Sequence, residues 1–449
     1  MSIKSLVSIT ALAMSSLFAR HQNFIIIYTD DLGYGDLGCY GAKGFDTPHL
    51  DQMAQEGMRF TDFSTSSSIC SPSRAGLLTG RNAKRWGHNN KVYFPDSKDG
   101  MPQSEITIPE MLKPLGYTSA LIGKWHLGHL PEFLPTSQGF DYYWGIPYSN
   151  DMWNDHTAKI SAEVKWNEGG TEEDFSKPNG KKNKNLVPLM EGEEVVEWPV
   201  DQRLLTRRYT EKSQEFITAN KDKPFFLYLA HTMPHVPLYV SEDFAGKTPK
   251  GIYGDVIAEI DWSVGQILDT LKKEGLEDDT LVVFSSDNGP WLGKGKASGS
   301  AGVLRAGKFT DYEGGCRVPC IAWQPGQVAA GVVSDTQLST MDLFPTIAQM
   351  VGGEVPSDRV IDGVNITQVL KGASKDAPER EYYLYRGTSL RMGDWKLFQD
   401  RKGAALYNLK DDVRERHDVS KENPDLVAKL KQKQSEVFAE IKANLKKKK

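Results

Sequence analysis

The chain has 449 residues, 39% of them hydrophobic and 25% charged, so it can bury a sizeable core and holds one large domain plus a smaller one. A net charge of −5 excludes a global pull toward nucleic acid, and any anion-binding site has to be a local cluster of basic residues. Four cysteines (Cys39, Cys70, Cys316, Cys320) are too few for a disulfide scaffold, and whether Cys316 pairs with Cys320 is left open.

Residues 1–20 read as an export signal, with Lys4 as a weak basic start, Leu6 to Leu17 as the apolar stretch and Ala19 at a cleavage point. The expected product is exported, periplasmic or secreted. The stretch is too short and too serine-rich to span a bilayer, and no other segment is apolar enough, so no membrane partner is expected. Residues 21–380 read as the catalytic domain. The apolar run Asn23 to Tyr28 predicts a strand buried on both faces, with Asp30 and Asp31 after its end. A helix over Thr47 to Gly57 follows, then a helix over Pro109 to Leu115 and a strand over Thr118 to Gly123. Residues 160–200, rich in Lys, Glu, Gly and Asn, read as an exposed insertion or lid. Next come a strand over Phe225 to Ala230, a helix over Asp255 to Glu274, and a strand over Thr280 to Ser285 that leads into Asp287 and Asn288. This alternation predicts an α/β fold, a large mixed and mostly parallel sheet sandwiched by helices. From Glu381 the pattern changes to a smaller antiparallel sheet, with strands at Tyr382–Arg386, Ser389–Arg391, Trp395–Gln399 and Ala405–Leu409. A last helix starts at Pro424 behind the cap Asn423, so 381–449 reads as a C-terminal subdomain.

Chemistry-bearing residues cluster just past the strand ends, where open α/β sheets bind ligands. Two Asp-containing pairs, Asp30-Asp31 and Asp287-Asn288, each close an apolar strand. Together they make an all-oxygen set suited to a hard cation such as calcium or magnesium. Cys70 opens a predicted helix with Pro72 in its first turn and Arg74 one turn on, a start that favours an anion. Lys124 and His126 are two apart in an extended segment, which turns both toward one face. His231 and His235 follow the strand that ends at Ala230. Trp86, Trp144, Trp153 and His156 are candidates for stacking on, or hydrogen bonding to, sugar rings, with Trp153 and His156 in the 150–200 segment as the specificity pair.

The run Cys70-Ser71-Pro72-Ser73-Arg74 through Gly80-Arg81 resembles the signature of the type I sulfatases, formylglycine-dependent, arylsulfatase-like members of the alkaline phosphatase superfamily. Gly123-Lys124-Trp125-His126-Leu127-Gly128, Asp30 to Gly38, Pro234-His235-Val236-Pro237, Leu304 to Gly315 and Arg391 to Lys396 extend the resemblance over nearly the whole chain. The resemblance implies that a formylglycine-generating enzyme oxidises Cys70 to formylglycine, whose hydrate attacks a sulfate ester. It implies one calcium ion held by residues matching Asp30, Asp31, Asp287, Asn288 and residue 70. It gives Lys124, Lys308 and Arg74 to the sulfate, His126 to proton abstraction and His235, with Lys308, to the leaving group. His231 is placed on the substrate side behind His235. The implied substrate is a sulfate monoester, most often on a carbohydrate. Two rivals stand beside it: a phosphomonoester or phosphonate monoester hydrolase of related architecture, and a non-catalytic protein that binds sulfated glycans through an unmodified Cys70.

Overall fold

The computed structural model describes residues 21–447 apart from 89, 179, 374, 376 and 402, so the export signal predicted over 1–20 lies outside the described residues. At its centre is an 11-stranded sheet. Five neighbouring strands in it run parallel: Thr280–Ser286, Asn23–Thr29, Phe225–Ala230, Thr118–Gly123 and Tyr142–Gly145. Their ends are level, with Thr29 opposite Ser286, Tyr28 opposite Ala230, and Ala230 opposite Gly123. Successive residues of Asn23–Thr29 point to opposite faces and enter two separate cores. Phe24, Ile26 and Tyr28 pack with Leu77 and Leu78 on one face, and Ile25 and Ile27 with Met53, Ile260 and Val264 on the other. Burial on both faces is why these strands read as unbroken apolar runs. Antiparallel strands Cys320–Trp323 and Met58–Phe60 extend one edge, and Val332–Ser334 closes it.

Segment 160–200 departs from its prediction. Instead of standing free as a lid it forms the far edge of the same sheet, contributing Leu189–Glu191, Glu194–Trp198 and Ile160–Trp166, the last of these half-buried to exposed as expected. Phe175, Val195 and Trp198 are buried there, with the Phe175 and Trp198 rings 5.4 Å apart. Three buried apolar anchors outweigh the polar composition around them.

The C-terminal sheet has four antiparallel strands, Tyr383–Leu384, Leu390–Met392, Trp395–Asp400 and Gly403–Asn408. The helix Pro424–Lys447 lays Leu430, Val437 and Ile441 on Leu390, Leu397 and Leu406. At its start the Asn423 side chain turns back and donates to the Val419 carbonyl, while its own carbonyl accepts from Val427. This sheet is fastened to the large one by a buried ionic network. Arg391 forms a two-pronged pair with Asp62, and Lys396 lies 3.0 Å from Glu313 and 2.7 Å from Glu415. Cys316 and Cys320 are both free thiols. Among the described residues no helix is long and apolar enough to cross a membrane.

Candidate active site

The five parallel strands deliver their following residues to one buried spot. Thr280–Ser286 brings Asp287 and Asn288, Asn23–Thr29 brings Asp30 and Asp31, and Phe225–Ala230 leads to His235. Thr118–Gly123 brings Lys124 and His126, and Tyr142–Gly145 leads on to Ser149. Facing them is the helix Cys70–Thr79, all ten residues of which are buried. It opens at Cys70 without a side-chain cap and ends at Gly80 in the left-handed conformation, φ 67°. Gly76 lets it press against Ser66, where a Cβ would stand 2.0 Å from the Ser66 hydroxyl.

Cys70 Sγ lies 3.5 Å from Asp30 Oδ1 and 3.5 Å from Lys308 Nζ. Lys308 pairs with Asp31 at 2.6 Å, and Lys124 pairs with Asp30. Asp31 N–H donates to Asp287 Oδ1, and the Asn288 amide donates to Asp31 Oδ1 at 2.6 Å. Arg74, completely buried, gives its Nε–H to Asp287 Oδ2 at 3.0 Å and an NH1 proton to the Lys124 carbonyl. Its NH2 lies 2.9 Å from Asp287 Oδ2 as an ion pair but makes no hydrogen bond. Burial alone would raise Asp30, but Lys124, His235, Arg74 and Lys308 together hold it well below the usual carboxylate range. Asp287 goes the other way, pushed up to about 7 by burial and then by Asp30. Burial opposes the charge on Lys308, but Asp31, Cys70 and Asp30 outweigh it and hold Lys308 above the ordinary lysine range.

Two buried oxygens in this cluster, Asp31 Oδ2 and Asn288 Oδ1, have no hydrogen-bond donor. A buried acceptor left bare is costly, and two of them side by side fit a cation. Ligand atoms of Asp30, Asp31, Cys70 and His235 all lie within 4.8 Å of one another, which puts His235 directly beside the predicted metal set. Three carboxylates balance Lys124, Lys308 and Arg74, so a divalent ion would leave the pocket positive and receptive to an anionic ester. The residues fit a hard cation such as calcium.

The predicted reason for pairing Lys124 with His126 changes. The strand stops at Gly123, and His126 is in the left-handed region, φ 65°. Both side chains are still buried at the site. His126 Nε2 sits 3.1 Å from the Tyr93 carbonyl, which can only accept, so Nε2 carries the proton. Nδ1, buried and unpartnered, keeps its lone pair. Burial, then Lys124, hold the ring neutral by pushing its pKa well below the usual value. His235 is oriented by Nδ1, which donates toward the Val236 carbonyl at 2.7 Å and Asn150 Oδ1 at 3.1 Å, and its Nε2 faces Asp31 Oδ2 at 3.7 Å. His231 does not join this cluster. It bonds Ser263 beside Tyr209 on the helical side of the sheet, and burial lowers its pKa to about 3.

The predicted sugar-contacting residues also divide. Trp144 is a core side chain packed on Tyr209, and Trp86 sits half-buried beside Arg81. Trp153 is buried and stacks on Phe94, while His156 is exposed. Two residues at the site had no sequence motif. Ser149 Oγ lies 3.4 Å from both Lys124 Nζ and His235 Nδ1. Trp291 holds its ring 5.8 Å from that of His235 and 5.1 Å from Lys308 Nζ. Position past a parallel strand end was the one available signal for Ser149. The loop carrying Lys308 is itself held by the C-terminal sheet. Arg386 donates to the Phe309 carbonyl at 3.1 Å, and Asp311 accepts from Gly387 N–H at 2.8 Å.

Comparison with known proteins places this geometry. The family model described as Sulfatase matches residues 22–353. Human arylsulfatase A is 38% identical over 407 residues, covering 88% of this chain and 78% of that protein. Mouse N-acetylgalactosamine-6-sulfatase is 40% identical over 397 residues, covering 83% of this chain and 71% of that protein. Among solved structures, Ps i-CgsB in complex with k-i-k-neocarrahexaose superposes with a TM-score of 0.79 at 30% identity, covering 93% of this chain and 92% of that one.

Proposed function

The chain belongs to the sulfatase family and hydrolyses sulfate esters, and from that premise we propose that it acts on a sulfated carbohydrate through a formylglycine made from Cys70 and one calcium ion. The observation that carries this reading is the buried set around Cys70 Sγ: bare acceptors at Asp31 and Asn288, ammonium groups at Lys124 and Lys308, and a free Nδ1 on His126. Burial, then Asp287, push the Cys70 thiol well above its ordinary pKa, so an unmodified Cys70 would be a protonated, poor nucleophile. Formylglycine supplies what a thiol lacks, two hydroxyls on one carbon. Asp30, Asp31, Asp287, Asn288 and residue 70 would hold calcium, which would supply stabilisation of charge on the sulfate oxygens. Lys124 and Lys308 bind those oxygens as well, with Ser149 positioned beside Lys124. Arg74 acts one layer back and fixes Asp287. Lys308 carries the proton that the departing alcohol oxygen takes, with His235 positioned beside it by its Nδ1–H bond to Val236, and His126 takes a proton at Nδ1 in the step that frees sulfate. A carbohydrate substrate is supported by the names of two relatives, one an N-acetylgalactosamine-6-sulfatase and one solved with neocarrahexaose. A formylglycine-generating enzyme is the partner in maturation. Residues 1–20 direct export to the periplasm or medium, 21–380 form the catalytic domain, and 381–449 the C-terminal subdomain.

The reading is tested by giving one preparation an aryl sulfate and the matching aryl phosphate. Preferred turnover of the sulfate is expected, and faster release from the phosphate would favour the phosphomonoesterase rival. His126→Ala separates the two halves of the reaction. It should release about one equivalent of alcohol per enzyme and then slow by roughly 10²–10⁴-fold, the usual worth of a positioned base. A rapid-quench assay reads this, and equal slowing of alcohol and sulfate from the first turnover would overturn the role given to Nδ1.

A further inference from the structure

Beyond His235 the chain runs along a cleft of about 490 Å³. Val236, Pro237 and Ile252 give it an apolar wall, and Asp151, Lys184 and Lys294 stand at its margins. Trp291 does not line this cleft but stands between its Lys294 and the reaction centre. Its ring approaches His235 and Lys308 on one side, while Lys294 Nζ sits 4.0 Å over its centroid. An alcohol whose oxygen rests at His235 therefore extends past Trp291 into the cleft. Lys184 and Lys294 are exposed, and among the described residues neither has a carboxylate within ion-pairing distance. A neutral sugar would pack on the apolar wall but bring neither ammonium group a counter-charge.

We propose that this cleft is a second-anion subsite: it takes the sugar on the alcohol side of the ester against Val236, Pro237 and Ile252, and Lys184 and Lys294 read a further acidic substituent on it. This rests on the carbohydrate reading above and narrows it to saccharides with at least two acidic groups. Sulfate and carboxylate share the required chemistry. Trp153 and His156, the sequence candidates for this task, do not line the cleft.

The test uses the full-length enzyme and three disaccharides of one sugar backbone: singly sulfated, doubly sulfated, and singly sulfated with a uronate carboxylate. Each is measured as an inhibitor of aryl sulfate turnover and by calorimetry. A second acidic group should tighten binding about tenfold, the combined worth of two exposed charge contacts, and added salt should erode the gain. In Lys184→Ala/Lys294→Ala the ratio between doubly and singly charged ligands should fall to near one. The two doubly charged ligands show whether sulfate or carboxylate is preferred. Equal affinity for all three ligands in the unaltered enzyme, or an unchanged ratio in the double variant, would overturn the subsite. Failure to turn over any aryl sulfate would instead strike the proposed function, because calorimetry still decides the ratio.

Discussion

Cys70→Ala should abolish turnover, with kcat/KM for an aryl sulfate falling by roughly 10⁴-fold or more, as when other covalent nucleophiles are removed. The side chain is 1% exposed, and its sulfur is held between Asp30 and Lys308. Alanine removes one atom and leaves every ion pair of the cluster in place, so the melting temperature should barely move. This separates loss of chemistry from loss of fold. Cys70→Ser is the sharper variant, because a single hydroxyl allows attack but not the release that a second hydroxyl provides. It should complete less than two turnovers. Mass spectrometry of the peptide spanning 59–74 from active protein should find the aldehyde at position 70. Full activity with only the thiol present would falsify the mechanism.

Stripping divalent ions should cost at least about 10²-fold in activity, comparable to deleting a preorganised charge-stabilising group, and calcium should restore it. Asp287→Asn should lose activity on the same scale, and it should also destabilise the protein by about 1–3 kcal/mol, since Arg74 would keep only the Lys124 carbonyl and the more distant Asp30. Protons compete with the ion. Asp287 holds its proton up to about pH 7 in the ion-free chain, so metal binding there must expel it. Above pH 7 the carboxylate is already charged and no proton is displaced. The rise in Tm on adding calcium should therefore grow as pH increases from 5.5 to 7.5. A calcium-induced rise that shrinks over that range would refute the assigned cation site.

The strands that carry this site were readable because burial on both faces leaves a plain signature. Thr118–Gly123 and Phe225–Ala230 begin and end where their apolar runs do. Asp30, Asp31, Asp287 and Asn288 were readable as a cluster because level parallel strands must deliver their next residues together. Other features depend on contacts between distant segments, and these leave no local mark. Glu194–Trp198 sits among charged residues and becomes a strand through Phe175 and Trp198 packing. His231 and His235 are four apart and differ in fate because one turns toward Ser263 and the other toward Asp31. Arg74 reads as a substrate contact, and only the structure adds its bond to Asp287. Trp291 lies in an irregular loop with no periodicity to announce it.

The fastening of the Lys308 loop by Arg386, and of Glu313 by Lys396, puts the site on a clock. A ribosome delivers residue 70 long before residue 386, roughly 15–60 s earlier at usual elongation rates. Until the later residues arrive, the Lys308 loop beside Cys70 is without its ties, and on the maturation proposed above this is the interval in which a modifying enzyme reaches the thiol. Once they dock, Cys70 is shut in at 1% exposure. On that proposal the C-terminal sheet sets a deadline for maturation. A chain that finishes folding before its cysteine is oxidised would be well formed, stable and permanently inert.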